Sequence, residues 1–277
     1  MKVQDYLGRT LAVTGLAVAL VAGVVHAQEP AKDFEPQVGQ SGKDVIWVPT
    51  QLGMVNRMLD TAKVTAADIV YDLGSGDGRT VITAAKRGAT AYGIEYNPDM
   101  VELSKKNAEK EGVSAKATFA KADLFESDFS KATVITMFLL SDINLRLRPK
   151  ILDMKPGTRI VSNTFDMGDW EADEKFEVKE GCSSYCRGFH WIVPAKVDGN
   201  WKLGQSDVTF KQTYQMVTGT VKNGNVIAPI TKGRLSGETI TFTAGGTDYT
   251  GKVNGGAIEG VSKAGATEAK FQASKAN

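Results

Sequence analysis

Between Asp44 and Val197, short β-branched runs alternate with segments of helical period, and that alternation rules out most folds. Parallel strands need long crossovers, usually helices, so such a chain builds an α/β sheet with helices on both faces. Strands are expected at "DIVYD", "TAYGIEY", "KATFA", "TVITMFLL" and "TRIVSN". Helices are expected at Gln51–Ala62, Thr80–Gly88, Pro98–Gly112 and around Ile143–Met154. Pro98 and Asp99 suit a first helical turn, while Gly88 and Gly112 suit helix ends. After Ala195 the helical period disappears. "DVTFKQTYQM" would place Val208, Phe210, Tyr214 and Met216 on one face, and "ETITFTA" would do so with Ile240 and Phe242. Gly-rich turns separate these runs, and "TGTVKNG" (218–224) echoes "TGKVNGG" (250–256). The expectation is a doubly wound, mostly parallel sheet over residues 44–197, then a small all-β, barrel-like domain over 198–277.

The 277 residues are enough for two cores. Residues 1–27 read as a secretory signal: Lys2 and Arg9 precede the apolar run Leu11–Val25, and Val25-His26-Ala27 is a small-residue cleavage site. Cleavage after Ala27 would make the mature chain periplasmic or secreted; an uncleaved signal would leave it membrane-anchored. The apolar run is short for a bilayer span of ~20 residues, so no stable span is expected in the mature chain. Residues 28–43 read as a flexible polar leader. Removing residues 1–27 takes away Lys2, Arg9 and Asp5 and leaves 31 basic against 31 acidic residues. That balance offers no electrostatic argument for a nucleic-acid partner. Cys182 and Cys186, four apart, are read as a local disulfide. The alternatives are free thiols or a metal site with His190, and the spacing matches no familiar zinc pattern. No metal is expected.

Directly after "DIVY" comes "DLGSGDGR", Asp72–Arg79, with Gly74, Gly76 and Gly78. A glycine-rich turn between strand and helix brings backbone N–H groups close to a ligand at the positive end of the helix. A dinucleotide fingerprint needs Gly-x-Gly-x-x-Gly, whereas this loop is Gly-x-Gly-x-Gly. Asp72 and Asp77 also crowd it with negative charge, repelling a pyrophosphate by roughly 1 kcal/mol or more per close pair. The same acids suit a cationic nucleoside without phosphates, S-adenosylmethionine (SAM). Glu95, 23 positions after Asp72, ends the next strand where a carboxylate can accept both ribose hydroxyls. Asp123, after the third strand, can accept from the adenine amino group, with Leu124 on the adenine face and Tyr96 opposite it or near the ribose.

"VYDLGSGDGRT", "GIEYNPDMVE" and "KADLFE" resemble, in order and spacing, the first three motifs of class I SAM-dependent methyltransferases. More narrowly, "WVPTQLGMVNRML", "TMFLL" and "NLRLRPK" are similar to a lysine-methyltransferase family that includes the mitochondrial enzyme acting on the ATP-synthase c subunit. The resemblance implies a Rossmann-like methyltransferase sheet over about residues 44–170, with SAM as cofactor. It implies that Val48, Pro49 and Thr50 fold over the cofactor, and that Asp72, Gly74, Gly76, Glu95, Asp123 and Phe138 contact it. The signal segment and the all-β tail depart from the mitochondrial enzymes.

Methyl transfer needs alignment and a route for the acceptor's proton, so no catalytic signature is obligatory. Ser141, Asp142 and Asn144 follow the fourth strand. Asp142 and Asn144 are the expected catalytic pair, with Asp142 orienting an acceptor amine or helping it lose its proton; a cap for the following helix is the alternative use. No Asn/Asp-Pro-Pro-aromatic tetrapeptide of the DNA amino-methylase kind lies near Thr136–Leu140. The acceptor stays open between a protein lysine and a small molecule. Two other functions are compatible with the residues: a non-catalytic envelope binding or scaffolding module on this fold, and an NAD(P) oxidoreductase, which loop charge and glycine spacing disfavour.

Overall fold

The computed structural model describes residues 34–276; the expected signal segment and residues 28–33 lie outside them. All elements named below belong to one unit, residues 35–277. In chain order they begin with α1 (Leu52–Thr61), β1 (Ile69–Leu73), α2 (Arg79–Lys86), β2 (Thr90–Glu95) and α3 (Pro98–Lys110). β3 (Ala117–Lys121), β4 (Val134–Met137), α4 (Ser141–Leu152), β5 (Arg159–Asn163), β6 (Glu174–Glu177) and β7 (Arg187–Ile192) follow. They form a seven-stranded sheet in the order β3-β2-β1-β4-β5-β7-β6, parallel from β3 to β5, with β7 antiparallel to both neighbours. The order reverses between β1 and β4. A crevice opens there beyond the carboxyl ends of the strands, which is where open α/β sheets bind ligands.

Two cores cover the two faces. Met58 and Leu59 of α1, Val81 and Ala84 of α2, and Val101 and Ala108 of α3 pack on one. Ile143, Leu147 and Ile151 of α4 pack with Trp170 and Trp191 on the other. Asn97 caps α3 by accepting from Asp99 N, with Pro98 at the first helical position where its missing N–H costs nothing. Pro149 lies inside α4 without ending it; the helix gives up the bond its missing N–H would make to Leu145 O and continues to Leu152.

Beyond Ile192 lie β8 (Gly199–Leu203), β9 (Ser206–Thr213), β10 (Met216–Asn223), β11 (Val226–Pro229), β12 (Thr231–Ser236), β13 (Thr239–Ala244), β14 (Thr247–Asn254), β15 (Ala257–Ala264) and β16 (Thr267–Lys275). β8, β9, β10 and β12 through β16 form an antiparallel meander that β16 closes on β8, and β11 lengthens the pairing at the end of β10. Trp201, Val208, Phe210, Leu235, Ile240 and Phe242 fill the interior. One expectation fails here. "DVTFKQTYQM" is not one strand: Tyr214 takes φ 53° in the turn after β9, so the alternation resets and Met216 is 48% exposed. Tyr214 and its neighbour instead dock the barrel on the first sheet. Tyr214 stacks on Trp170 at 6.0 Å, the Tyr214 hydroxyl donates to Asp169, and Gln215 Nε2 donates to Glu171 O. Arg234 pairs with Asp173 at 2.5 Å.

The echoed segments mark where the barrel curls. Gly219 of β10 and Gly251 of β14 hold the same place in the echo, each shortly before an inward valine, Val221 or Val253. A Cβ on Gly219, which has φ 134°, would lie 1.8 Å from Thr209 O, an approach only glycine allows. Gly219→Ala is expected to lower stability in urea unfolding by about 2 kcal/mol or more. Gly224→Ala, in an open turn at φ 58°, should lower it by only about 1 kcal/mol.

Candidate functional site

The ten residues expected to hold the cofactor lie on the wall of a single pocket at the carboxyl ends of β1, β2, β3 and β4. Asp72, Gly74, Gly76 and Asp77 come from the β1–α2 turn, Glu95 and Tyr96 from the end of β2, Asp123 and Leu124 from the turn after β3, and Phe138 from the end of β4. Thr50 enters from the segment before α1. All three loop glycines have positive φ, so a side chain at any of them would strain the turn. α3 pins the loop from behind: Ser104 Oγ donates to Gly76 O at 2.8 Å and Asn107 Nδ2 to Asp77 O at 3.0 Å.

Glu95 is the best-anchored acid. Its Oε2 accepts from Gly76 N and its Oε1 from Asn97 N, both at 2.9 Å, which fixes the carboxylate while leaving lone pairs for two hydroxyls. Asp72 is buried and accepts from Thr136 Oγ1 at 2.7 Å. Burial, reinforced by the charges of Asp77 and Glu95, pushes its pKa up to about 7 against the help of the Thr136 and Thr80 hydroxyls. Asp123 accepts from Phe125 N at 2.9 Å and pairs with Lys43, whose ammonium holds the carboxyl below the usual range. Lys43 also lies 5.0 Å from the centre of the Tyr96 ring.

Two features revise the electrostatic expectation. Asp77 is forked by Arg79, with Nε 3.0 Å from Oδ1 and Nη2 2.5 Å from Oδ2, so its charge is compensated inside the loop. Asp72 shares its site with a proton at neutral pH. Repulsion of a pyrophosphate therefore rests on Glu95, which acts a second way by occupying Gly76 N, a donor such a phosphate would need. Arg79 Nη1 also donates to Thr50 O at 3.1 Å, tying the segment before α1 to the loop.

That segment reaches further than expected. Residues 37–47 form a small hairpin, with Ser41 bridged to Ile46 and Gly39 N donating to Trp47 O, so the expected flexible leader is folded from Gln37 on and lines the pocket from Gln40 to Lys43. A Cβ on Gly76 would lie 2.6 Å from Trp47 Nε1, so the indole sits directly on the glycine loop. Trp170, Trp191 and Trp201 are core residues instead. The role of Trp47 had one sequence signal, its place in "WVPTQ".

Asp142 and Asn144 do not reach the pocket wall. Ile143 does, and its neighbours on α4 turn about 100° to either side. Asp142 faces solvent. Asn144 is buried, and its Nδ2 donates to Phe165 O at 3.2 Å and Asp166 O at 3.0 Å, holding the turn after β5. The basic run after it serves the interior: Arg148 donates to Met167 O and pairs with Asp169, and Lys150 donates to Ser127 O. Cys182 and Cys186 form a disulfide, which removes the thiolates a metal site with His190 would have required. His190 lies in β7, where burial lowers its pKa. Among the described residues no group of three His, Cys, Asp or Glu side chains is placed to hold a metal ion, and no helix is long and apolar enough to cross a membrane.

The family profile described as "ANTKMT methyltransferase domain" matches residues 72–174. A protein-lysine N-methyltransferase of Saccharolobus islandicus (strain REY15A) is 47% identical over 140 residues, 50% of this chain and 87% of that protein. The Homo sapiens lysine N-methyltransferase of the ATP-synthase c subunit is 33% identical over 128 residues, 46% of this chain and 54% of that protein. The chain thus spans most of the archaeal relative and about half the length of the human one. An RNA methyltransferase from Salinibacter ruber, solved in complex with S-adenosyl-L-homocysteine, superposes with a TM-score of 0.51 at 43% identity, covering 54% of this chain and 96% of that one. The chain belongs to the class I SAM-dependent methyltransferases, in the family of the Saccharolobus islandicus enzyme. It is a methyltransferase and its cofactor is SAM.

With the buried carboxyl of Asp72 on the pocket wall, cofactor binding is expected to depend on pH. A cationic ligand favours the ionised form, so SAM affinity is expected to fall roughly tenfold from pH 8 to pH 6 by calorimetry, and the slope should vanish in Asp72→Asn. Without cofactor the sign reverses. The folded carboxyl retains a proton that the unfolded one loses near pH 4, so stability falls as pH rises from about 4 to about 7. Asp72→Asn should therefore raise unfolding stability at pH 8 by roughly 1–3 kcal/mol.

Proposed function

We propose that this methyltransferase transfers the methyl group of SAM to the ε-amine of a protein lysine. The observation that carries the cofactor half is the convergence of Asp72, Glu95 and Asp123 around a glycine loop whose Gly76 N is already taken. The lysine half is supported by the activities for which the archaeal and human relatives are named. When bound, SAM supplies an electrophilic methyl carbon on a positively charged sulfur. The chain's own contribution is alignment. Glu95 holds the ribose hydroxyls, Asp123 takes the adenine amino group alongside Lys43, and the Trp47 hairpin shields the site from water, which strengthens these contacts. The acceptor arrives as its ammonium and loses a proton to solvent before attack, because only the neutral amine has a lone pair to take the methyl group.

An RNA acceptor is the second reading, favoured by the Salinibacter neighbour, an RNA methyltransferase. Against it stands the balance of 33 basic and 32 acidic residues over the whole chain, which offers no excess charge for a phosphate backbone. We further propose that the chain works outside the cytoplasm. Residues 1–27 and the Cys182–Cys186 disulfide support that location, since disulfides persist in oxidising compartments.

The acceptor is tested by incubating the full chain with methyl-labelled SAM and either envelope proteins or total RNA. Label on lysine residues, located by mass spectrometry, is the expected result; label confined to RNA or to small molecules would overturn it. Glu95→Gln should weaken SAM binding about 10- to 100-fold, the loss for hydrogen bonds to a charged group. Fractionating cells that express the chain with and without residues 1–27 tests the location.

A further inference from the structure

Three aromatic rings run from the pocket wall to the surface. Phe138 directly follows β4 and lines the pocket, Phe165 follows β5, and Tyr185 lies in the loop between β6 and β7. The Phe138 ring lies 6.1 Å from Phe165 in a stacked arrangement and 5.2 Å from Tyr185 edge-on. Tyr185 is 46% exposed. These rings sit at the carboxyl side of the sheet, next to the cofactor pocket.

The backbone that presents them is held in unfavourable conformations. Thr164, a β-branched residue, has φ 64°, and Tyr185 has φ 56°. Such residues persist only where their surroundings over-determine them, and they cluster at ligand sites. Both are over-determined here. Phe165 O accepts from Ser162 Oγ at 2.6 Å and from Asn144 Nδ2, and Thr164 N donates to Arg187 O at 2.8 Å. The disulfide closes the loop around Tyr185. Gln51 clamps the same loop, accepting from Ser183 N at 3.0 Å and donating to Ser184 O at 3.2 Å, and it is the direct neighbour of Thr50 on the pocket wall.

Resting on the lysine reading, we propose that Phe138, Phe165 and Tyr185 form the subsite for the acceptor's ammonium group, with the Cys182–Cys186 disulfide holding Tyr185 in place. Aromatic faces attract alkylammonium ions through their quadrupole and prefer charged over neutral side chains of equal shape. They bind the unmethylated amine in its charged form and the methylated product alike, and they need no carboxylate that would pin the proton on the nitrogen. Asn144 thereby becomes a positioning residue for Phe165 instead of a catalytic one.

The test titrates the full chain, saturated with S-adenosylhomocysteine, with N-acetyl-trimethyllysine methylamide, and with its carbon isostere, in which a tert-butyl group replaces the trimethylammonium, as the neutral control. The expected result is binding of the ammonium probe at least about fivefold tighter than the control. Tyr185→Ala should lose that preference, Tyr185→Phe should keep it, and reduction of the disulfide or Cys186→Ser should lose it as Tyr185→Ala does. S-adenosylhomocysteine affinity should stay unchanged throughout. Equal binding of the neutral probe, or no effect of Tyr185→Ala, would overturn the subsite; a preference that survives reduction would overturn the role of the disulfide. Failure of the lysine reading looks different: the ammonium preference persists while labelled methyl never reaches a protein lysine.

Discussion

The two hydrogen bonds that Glu95 accepts, from Gly76 N and Asn97 N, organise the cofactor end of this molecule. One locks the glycine loop against β2 and the other sets the entry to α3, whose Ser104 and Asn107 return to hold the loop from behind. The loop is therefore a rigid rim whose backbone donor is committed before any ligand arrives. A pyrophosphate would meet a carboxylate where it needs an N–H. A ribose would meet an oriented acceptor. The commitment of Gly76 N to Glu95 thus disfavours a dinucleotide at this loop.

Charge is distributed less evenly than a count of acids suggests. Asp77 is forked by Arg79, Asp123 is shared with Lys43, and Asp72 is buried deeply enough to hold its proton near neutral pH. Bringing SAM into the site is then a question of restoring charge to Asp72. Arg79 connects this balance to the segment before α1 through Thr50 O, and Gln51 connects the same segment to the disulfide loop. The cofactor wall and the aromatic wall are mechanically joined across two adjacent residues. The barrel is docked elsewhere, through Tyr214, Gln215 and Arg234, and among the described residues none of the barrel's lines the pocket.

Much of this was legible in the residues because it is local. The strand–loop–helix punctuation of "DIVYDLGSGDGR" and the acids at successive strand ends depend on short-range geometry, and a parallel sheet brings strand ends together whatever their separation in the chain. What escaped is what depends on which face of an element is presented or what lies across space. Asp142 and Asn144 sit one residue either side of the pocket-facing Ile143, and a helix turns such neighbours away. The left-handed turn at Tyr214 broke the alternation of "DVTFKQTYQM", and the hairpin at residues 37–47 had no apolar period to announce it.

By itself the sequence determined the α/β sheet, the all-β tail, the cofactor class and the glycine loop that lines the pocket, because periodicity, glycine spacing and acid placement are written along the chain. Only the tertiary structure decided which acids keep their charge, which tryptophan covers the loop, and that Phe138, Phe165 and Tyr185 meet. Those outcomes depend on burial and on contacts between segments tens of residues apart, where packing selects among partners that one-dimensional pattern leaves equivalent.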